Sequence, residues 1–204
     1  MSHWYIASSE KGAGRVMASV DVIRDIGDTL TFLLRNSIDA AIVNPSNIVL
    51  STPDDFDADP DQPVITLFLY RLSVNPELRN RPKRVLPDGS ITRPLIPLEL
   101  FYMITPWARN TRDEYRIVGR ILQCMYDNAE LGASQLQGTS WEAGDSVQIV
   151  LDSLPIDDHY RIWDSSSLPY RLSLTYMVRV IGIEPGQVTT YPPVTEADFR
   201  RLRT

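Results

Sequence analysis

The 204-residue chain carries 20 Lys and Arg against 26 Asp and Glu, a formal net charge of −6, with 43% hydrophobic and 23% charged residues. This is the balance of an ordinary globular domain with one proper core, and it argues against a general nucleic-acid binder. A single cysteine, Cys124, excludes an intrachain disulfide framework and suits a reducing cytoplasm, while no run of about 18 uncharged apolar residues is present to span a membrane.

Residues 1–18 mix Ser, Gly, Ala and single charges without a period, and read as a mobile arm. Trp4, Tyr5 and Ile6 form a small apolar cluster there, either a partner anchor or incidental aromatics. No charged n-region followed by an apolar run marks a secretory signal, so assembly in the cytoplasm is expected. Asp21 to Ile38 has the period of a helix: Val22, Ile26, Thr29, Leu30, Leu33 and Leu34 recur at three and four residues. Arg24, Asp25, Asp28 and Arg35 are expected on its solvent side. Asn44-Pro45 stops any continuation, and Asn47 to Ser51 reads as a short strand.

Five aspartates follow between Thr52 and Pro63. The calcium-loop pattern fails there, because Pro60 stands where the loop needs Gly and Thr66 where it needs Glu; a solvated acidic loop is expected. Val64 to Val74 is apolar on both faces over much of its length, as in an interior strand, and Arg71 marks its emergence into solvent. The arm beyond it crowds Arg79, Arg81, Lys83 and Arg84 around Asn80 and Pro82, and turns at Leu86-Pro-Asp-Gly-Ser90. Two roles fit it: an arm that meets an acidic surface on a partner or neighbouring subunit, or a hairpin whose charges protect an edge. Leu95 to Thr105 is the return strand, with Glu99 either an arginine's partner or a groove residue.

Thr111-Arg-Asp-Glu114 reads as a capping box opening a second helix that runs to Asn128. Its expected apolar face is Tyr115, Val118, Ile121, Leu122 and Met125, with Cys124 beside it as a small core residue. Gly132 to Gly144 is a polar connector in which Trp141 is expected to fold back on the core. Ser146 to Leu154 alternates as a half-exposed strand, and Asp157 to Ser165 suits a short helix packing through Ile162 and Trp163. Tyr170 to Ile183 is the longest strand. The tail that follows, with Tyr191 in Thr189-Thr-Tyr-Pro-Pro193, is a second candidate arm.

Catalytic signatures are missing from this order. His3 and His159 have no Cys or His at metal-ligand spacing. There is no G-x-S-x-G, no Walker loop, and no G-x-G-x-x-G after a strand. Phe68, Tyr70, Phe101, Tyr102 and Tyr176 lack a basic face and are expected to pack a core rather than stack bases. The expected architecture is a single α+β domain over residues 19–184. It holds a mixed, mostly antiparallel sheet flanked by two main helices, with a long β-hairpin arm and extended termini at 1–18 and 185–204. No enzyme, cofactor or metal site is expected.

Particular runs carry a family likeness: Ser51-Thr-Pro-Asp-Asp55, Leu67 through Tyr70-Arg71, Asn75-Pro76 and Arg79-Asn-Arg-Pro82, Leu98 to Pro106, Glu114 to Asn128, and Pro169 to Val180. Over roughly residues 20 to 184 the chain resembles the cap, or tail-terminator, family of phage-tail-like contractile injection systems. The resemblance implies a tail-terminator-like fold and a homo-hexameric ring that ends the inner tube and/or sheath distal to the baseplate, anchoring sheath to tube. It implies tube and sheath proteins as partners, neither nucleic acid nor membrane insertion, and a place in the finished injection particle. Interface residues on this reading are Arg79, Arg81, Lys83 and Arg84 of the basic arm, with Trp4, Tyr5 and Tyr191 in the terminal arms. A monomeric protein-binding adaptor, using the acidic loop and basic arm on a small partner, is the alternative.

Overall fold

A computed structural model describes residues 21–52, 55, 60–76, 84–85, 91–92, 96–141, 143–166 and 168–183, with 84–85, 91–92 and 181–183 given by their backbone alone. Strands β1 (Ile48–Leu50), β2 (Val64–Val74), β5 (Ile96–Trp107), β6 (Glu130–Gly132), β7 (Ser146–Leu151) and β8 (Leu174–Ile183) form a sheet in the order β1-β2-β5-β8-β7-β6. The β1–β2 pair is parallel, with Ile48 beside Ile65, and every other pair is antiparallel. Strands β3 (Arg84–Val85) and β4 (Ile91–Thr92) pair separately, Arg84 with Thr92 and Val85 with Ile91. The chain therefore reverses around the Pro-Asp-Gly turn signal, as the hairpin reading expected.

Helices α1 (Val22–Ser37) and α2 (Thr111–Asp127) share one face of the sheet, and α3 (Ile156–Asp164) takes the other. Alternation along β5 sets this division. Leu98, Leu100, Tyr102 and Ile104 point toward α1 and α2, where Ile26, Leu30, Leu34, Ile117 and Ile121 meet them in the main core. Met103 and Trp107 point the other way and pack with Trp163 of α3, whose ring meets Trp107 edge-on at 5.9 Å. The apolar residues at both parities of β2 and β5 thus serve two cores, as an interior strand requires.

Several details depart from the sequence reading. Pro106-Trp107 continues β5 instead of opening a loop, because Val64 and Ile65 extend the pairing to them and Trp107 Nε1 donates to Thr66 Oγ1 at 2.9 Å. Asn110, not Thr111, caps α2: it has extended backbone angles, and its side-chain oxygen accepts from the Asp113 amide. Glu114 instead forms an ion pair with Arg171, which ties α2 to the segment before β8. That segment, Tyr170 to Ser173, is not strand; β8 begins at Leu174. Between α2 and the expected connector lies β6, which shares only Gly132 with that connector and pairs with β7 through Leu131 and Val147.

A bulge between Leu69 and Arg71 inserts Tyr70 into β2. Tyr70 and Arg71 both gather around Phe101 as a result. The Arg71 guanidinium lies 3.6 Å from the Phe101 ring centre, and the Tyr70 ring tilts against Phe101 at 6.2 Å. Arg71 is exposed, as expected, yet it is held flat on an aromatic ring.

Candidate interaction surfaces

Asp25, expected at the surface of α1, is fully buried. Its Oδ2 accepts from the amides of Thr139 (3.1 Å) and Ser140 (3.2 Å) and from Ser140 Oγ (2.6 Å), and Oδ1 accepts from Arg24 Nη2 at 2.8 Å. Burial opposes its ionisation, but the bonds from Ser140 and Arg24 outweigh that cost and hold the carboxyl below the usual Asp range. Gln137 adds a bond from its amide to Thr29 Oγ1, and Trp141 folds back as expected, its Nε1 donating to the Gln137 carbonyl. The 137–141 connector is thereby clamped onto α1.

Glu99 proves to be an arginine's partner. It sits opposite Arg179 in the β5–β8 register and accepts from Arg179 Nε at 3.3 Å, while Asn75 Nδ2 donates to it at 2.9 Å. Cys124 is buried in the main core, and burial pushes its thiol up from the ordinary value. Phe101, Tyr102 and Tyr176 are buried; Phe68 and Tyr70 are half-buried in the second core. Among the described residues no group of three His, Cys, Asp or Glu side chains is arranged to hold a metal ion. No helix among them is long and apolar enough to cross a membrane.

The expected interface residues Arg79, Arg81, Lys83, Trp4, Tyr5 and Tyr191 lie outside the described residues, and so do three of the five aspartates of the acidic loop and both terminal arms. Arg84 opens β3. Within the acidic loop, Asp61 pairs with Arg109 at 2.6 Å, and Asp55 accepts from the Thr52 hydroxyl at 2.7 Å.

The surfaces that sequence reasoning missed belong to α2 and α3. The buried row of α2 is Ile117, Ile121, Cys124 and Met125. Tyr115 and Leu122, expected in the core, are exposed, and Tyr126 is 84% exposed. The spacing contained the signal: positions 117, 121, 124 and 125 make one stripe, which leaves 115, 122 and 126 on the opposite side. On the other face of the sheet, Ile156 and Tyr160 of α3 are exposed together with Tyr170 and Leu172. At the β1 edge, a shallow open groove runs between α1 and β1, lined by Phe32, Arg35, Leu50 and Gln137.

Residues 25–197 match the model of the Pvc16 N-terminal domain family. No curated protein matches the chain. Among solved structures, the chain is similar to the PVC sheath/tube terminator in its extended state, from an extracellular contractile injection system. The TM-score is 0.63 at 20% identity, over 91% of this chain and 65% of that one. It is also similar to the anti-feeding prophage cap, a tube-terminating cap, with a TM-score of 0.59 at 18% identity, over 87% of this chain and 61% of that one. The chain thus spans somewhat under two thirds of the length of either structure. The likeness to tail terminators read from the Tyr-Arg…Asn-Pro…Arg-Asn-Arg-Pro run agrees with these matches. With the family model covering most of the fold, α1 through β8, this chain belongs to the Pvc16 N-terminal domain family.

Proposed function

We propose that this chain is a structural cap of a contractile injection particle, forming a hexameric ring that ends the inner tube and/or sheath distal to the baseplate. The observation that carries the reading is the family match over residues 25–197, together with a fold shared with a sheath/tube terminator and a tube-terminating cap. The role is geometric and non-enzymatic. A ring of identical subunits presents one surface to the last layer of tube or sheath, stops further addition, and anchors sheath to tube while the particle stays extended.

The basic arm, Arg79 to Arg84, meets a neighbouring subunit or an acidic surface of a tube or sheath protein. The terminal arms, with Trp4, Tyr5 and Tyr191, add strap contacts. The subunit is made in the cytoplasm and ends as part of the particle.

Light scattering gives the solution mass, and negative-stain imaging with the particle's tube or sheath protein shows whether ends are capped. A ring of about six copies, or chains seated at tube ends, supports the cap. A monomer indifferent to tube and sheath overturns it in favour of a binding adaptor. Arg79→Glu, Arg81→Glu and Arg84→Glu together abolish ring formation or capping; particles capped at normal length by this variant overturn the role of the arm.

A further inference from the structure

Helices α2 and α3 cover opposite faces of the sheet, and each turns an apolar row with a charged border to solvent. On α2 the row is Tyr115, Leu122 and Tyr126. Gly119 lies on the same side, and a Cβ there would meet nothing within 4 Å, so the row has an open notch between its tyrosines. Arg112 and Arg116 border it, both exposed, and among the described residues neither forms an ion pair; one exposed acid, Asp127, closes its C-terminal end.

On α3 the row is Ile156 and Tyr160, extended by Tyr170, whose ring centre lies 4.5 Å from that of Tyr160. Its border has the opposite sign. Asp157 and Asp164 are exposed and in no ion pair among the described residues, whereas Asp158 is engaged by Arg161.

We infer that the α2 face of one copy docks on the α3 face of a second copy of this chain, and that this head-to-tail contact joins the subunits of the ring; the inference rests on the cap reading. Charge decides the occupant. Pairing α3 with α3 sets Asp157 and Asp164 against the same acids of the copy, and pairing α2 with α2 in parallel does so with Arg112 and Arg116; antiparallel, Asp127 offers those two arginines one carboxylate per copy, against the two that α3 presents. Like charges across an interface are penalised and opposite ones favoured. Of these pairings, α2 on α3 satisfies the most border charges, two arginines meeting two carboxylates. Because the two faces lie on opposite sides of one sheet, each copy keeps the second face free for the next neighbour. A contact of that kind repeats, and closes into a ring where its rotation allows. Tyrosine-rich rows with arginine borders are also what interface centres select.

The test is a charge exchange read as the mass of the assembly. One chain carries R112E and R116E, and a second carries D157K and D164K. Each alone loses self-association by about tenfold or more, with an unchanged circular dichroism spectrum, since all four sites are exposed. Their equimolar mixture restores assembly, because every α2–α3 contact in an alternating ring then has opposite signs. Arg116→Cys and Asp157→Cys chains joined by a short bismaleimide add a direct readout: the mixture cross-links and neither alone does, the native Cys124 being buried. If the wild type needs tube ends to assemble, the same samples are measured there.

Self-association of both charge variants at wild-type strength, cross-linking within a single variant sample, or no cross-link while rings form overturns the α2–α3 contact and leaves the cap reading standing. A wild-type chain that neither self-associates nor seats on tube ends overturns both.

Discussion

Gly138 backs directly onto the buried carboxylate of Asp25: a Cβ built on Gly138 would stand 2.1 Å from Asp25 Cγ. Gly138 also holds φ at +91°, a conformation that residues with a side chain rarely adopt. Both facts follow from the way the 137–141 connector wraps over α1 to deliver the amides of Thr139 and Ser140 to Asp25. Gly138→Ala is expected to cost about 2 kcal/mol or more, through strain and the displaced carboxylate. A urea midpoint within error of wild type would contradict this packing.

Removing the carboxylate tests the same junction from the other side. Asp25→Ala strands the Thr139 and Ser140 amides and is expected to cost about 3 kcal/mol. The sign of the pH effect follows from the lowered carboxyl pKa. In the unfolded chain Asp titrates near about 3.9. The stabilisation is therefore complete above roughly pH 5 and is lost as pH falls through the lower folded value. Acid unfolding of wild type and D25N, compared by tryptophan fluorescence, checks it; the variant loses that part of the acid dependence.

His159 predicts a second titration at milder pH. It is buried on α3 with its ring edge-on to Tyr170 at 5.7 Å, and burial lowers its pKa. The unfolded state then takes up the proton first, near about pH 6.5. The stability that neutral His159 contributes is present above that value and declines as pH falls from it toward the folded pKa. Thermal midpoints between pH 7.5 and 5 drop in wild type and flatten in His159→Phe. Equal slopes in the two proteins would show that His159 does not carry the effect.

The pair Glu99–Arg179 is predicted to be asymmetric. Arg179 is about half exposed, so Arg179→Ala is expected to cost under about 1 kcal/mol. Glu99→Ala also takes an acceptor from the buried Asn75, and is expected to cost about 1–2 kcal/mol. Chemical denaturation of the two variants and of the double variant gives the order directly.

The register of α2 is tested by contrast. Ile121→Ala opens the main core and is expected to cost about 2–5 kcal/mol. Tyr126→Ser, on the exposed row, is expected to stay within about 0.5 kcal/mol of wild type. Equal losses at the two positions would mean that the tyrosine row is not at the surface.

Much of the scaffold is legible in the linear order of residues. The stripe Val22, Ile26, Leu30 and Leu34 identifies α1, and the strand Val64–Val74 has the predicted ends. These features are local, set by period, caps and punctuation within a few residues. The turn signal at Pro87-Asp-Gly89 belongs with them, since β3 and β4 pair on either side of it. Tertiary structure decided the rest, because it depends on groups far apart in the chain. Asp25 reads as a surface charge until donors 114 and 115 residues away reach it. Tyr115 and Leu122 are as apolar as the residues that are buried, so α2 offers two apolar sides; the spacing of 117, 121, 124 and 125 marks one stripe, and its docking in the main core settles that this side is the buried one. The strand order, with β8 between β5 and β7, likewise arises from long-range pairing that no local period encodes.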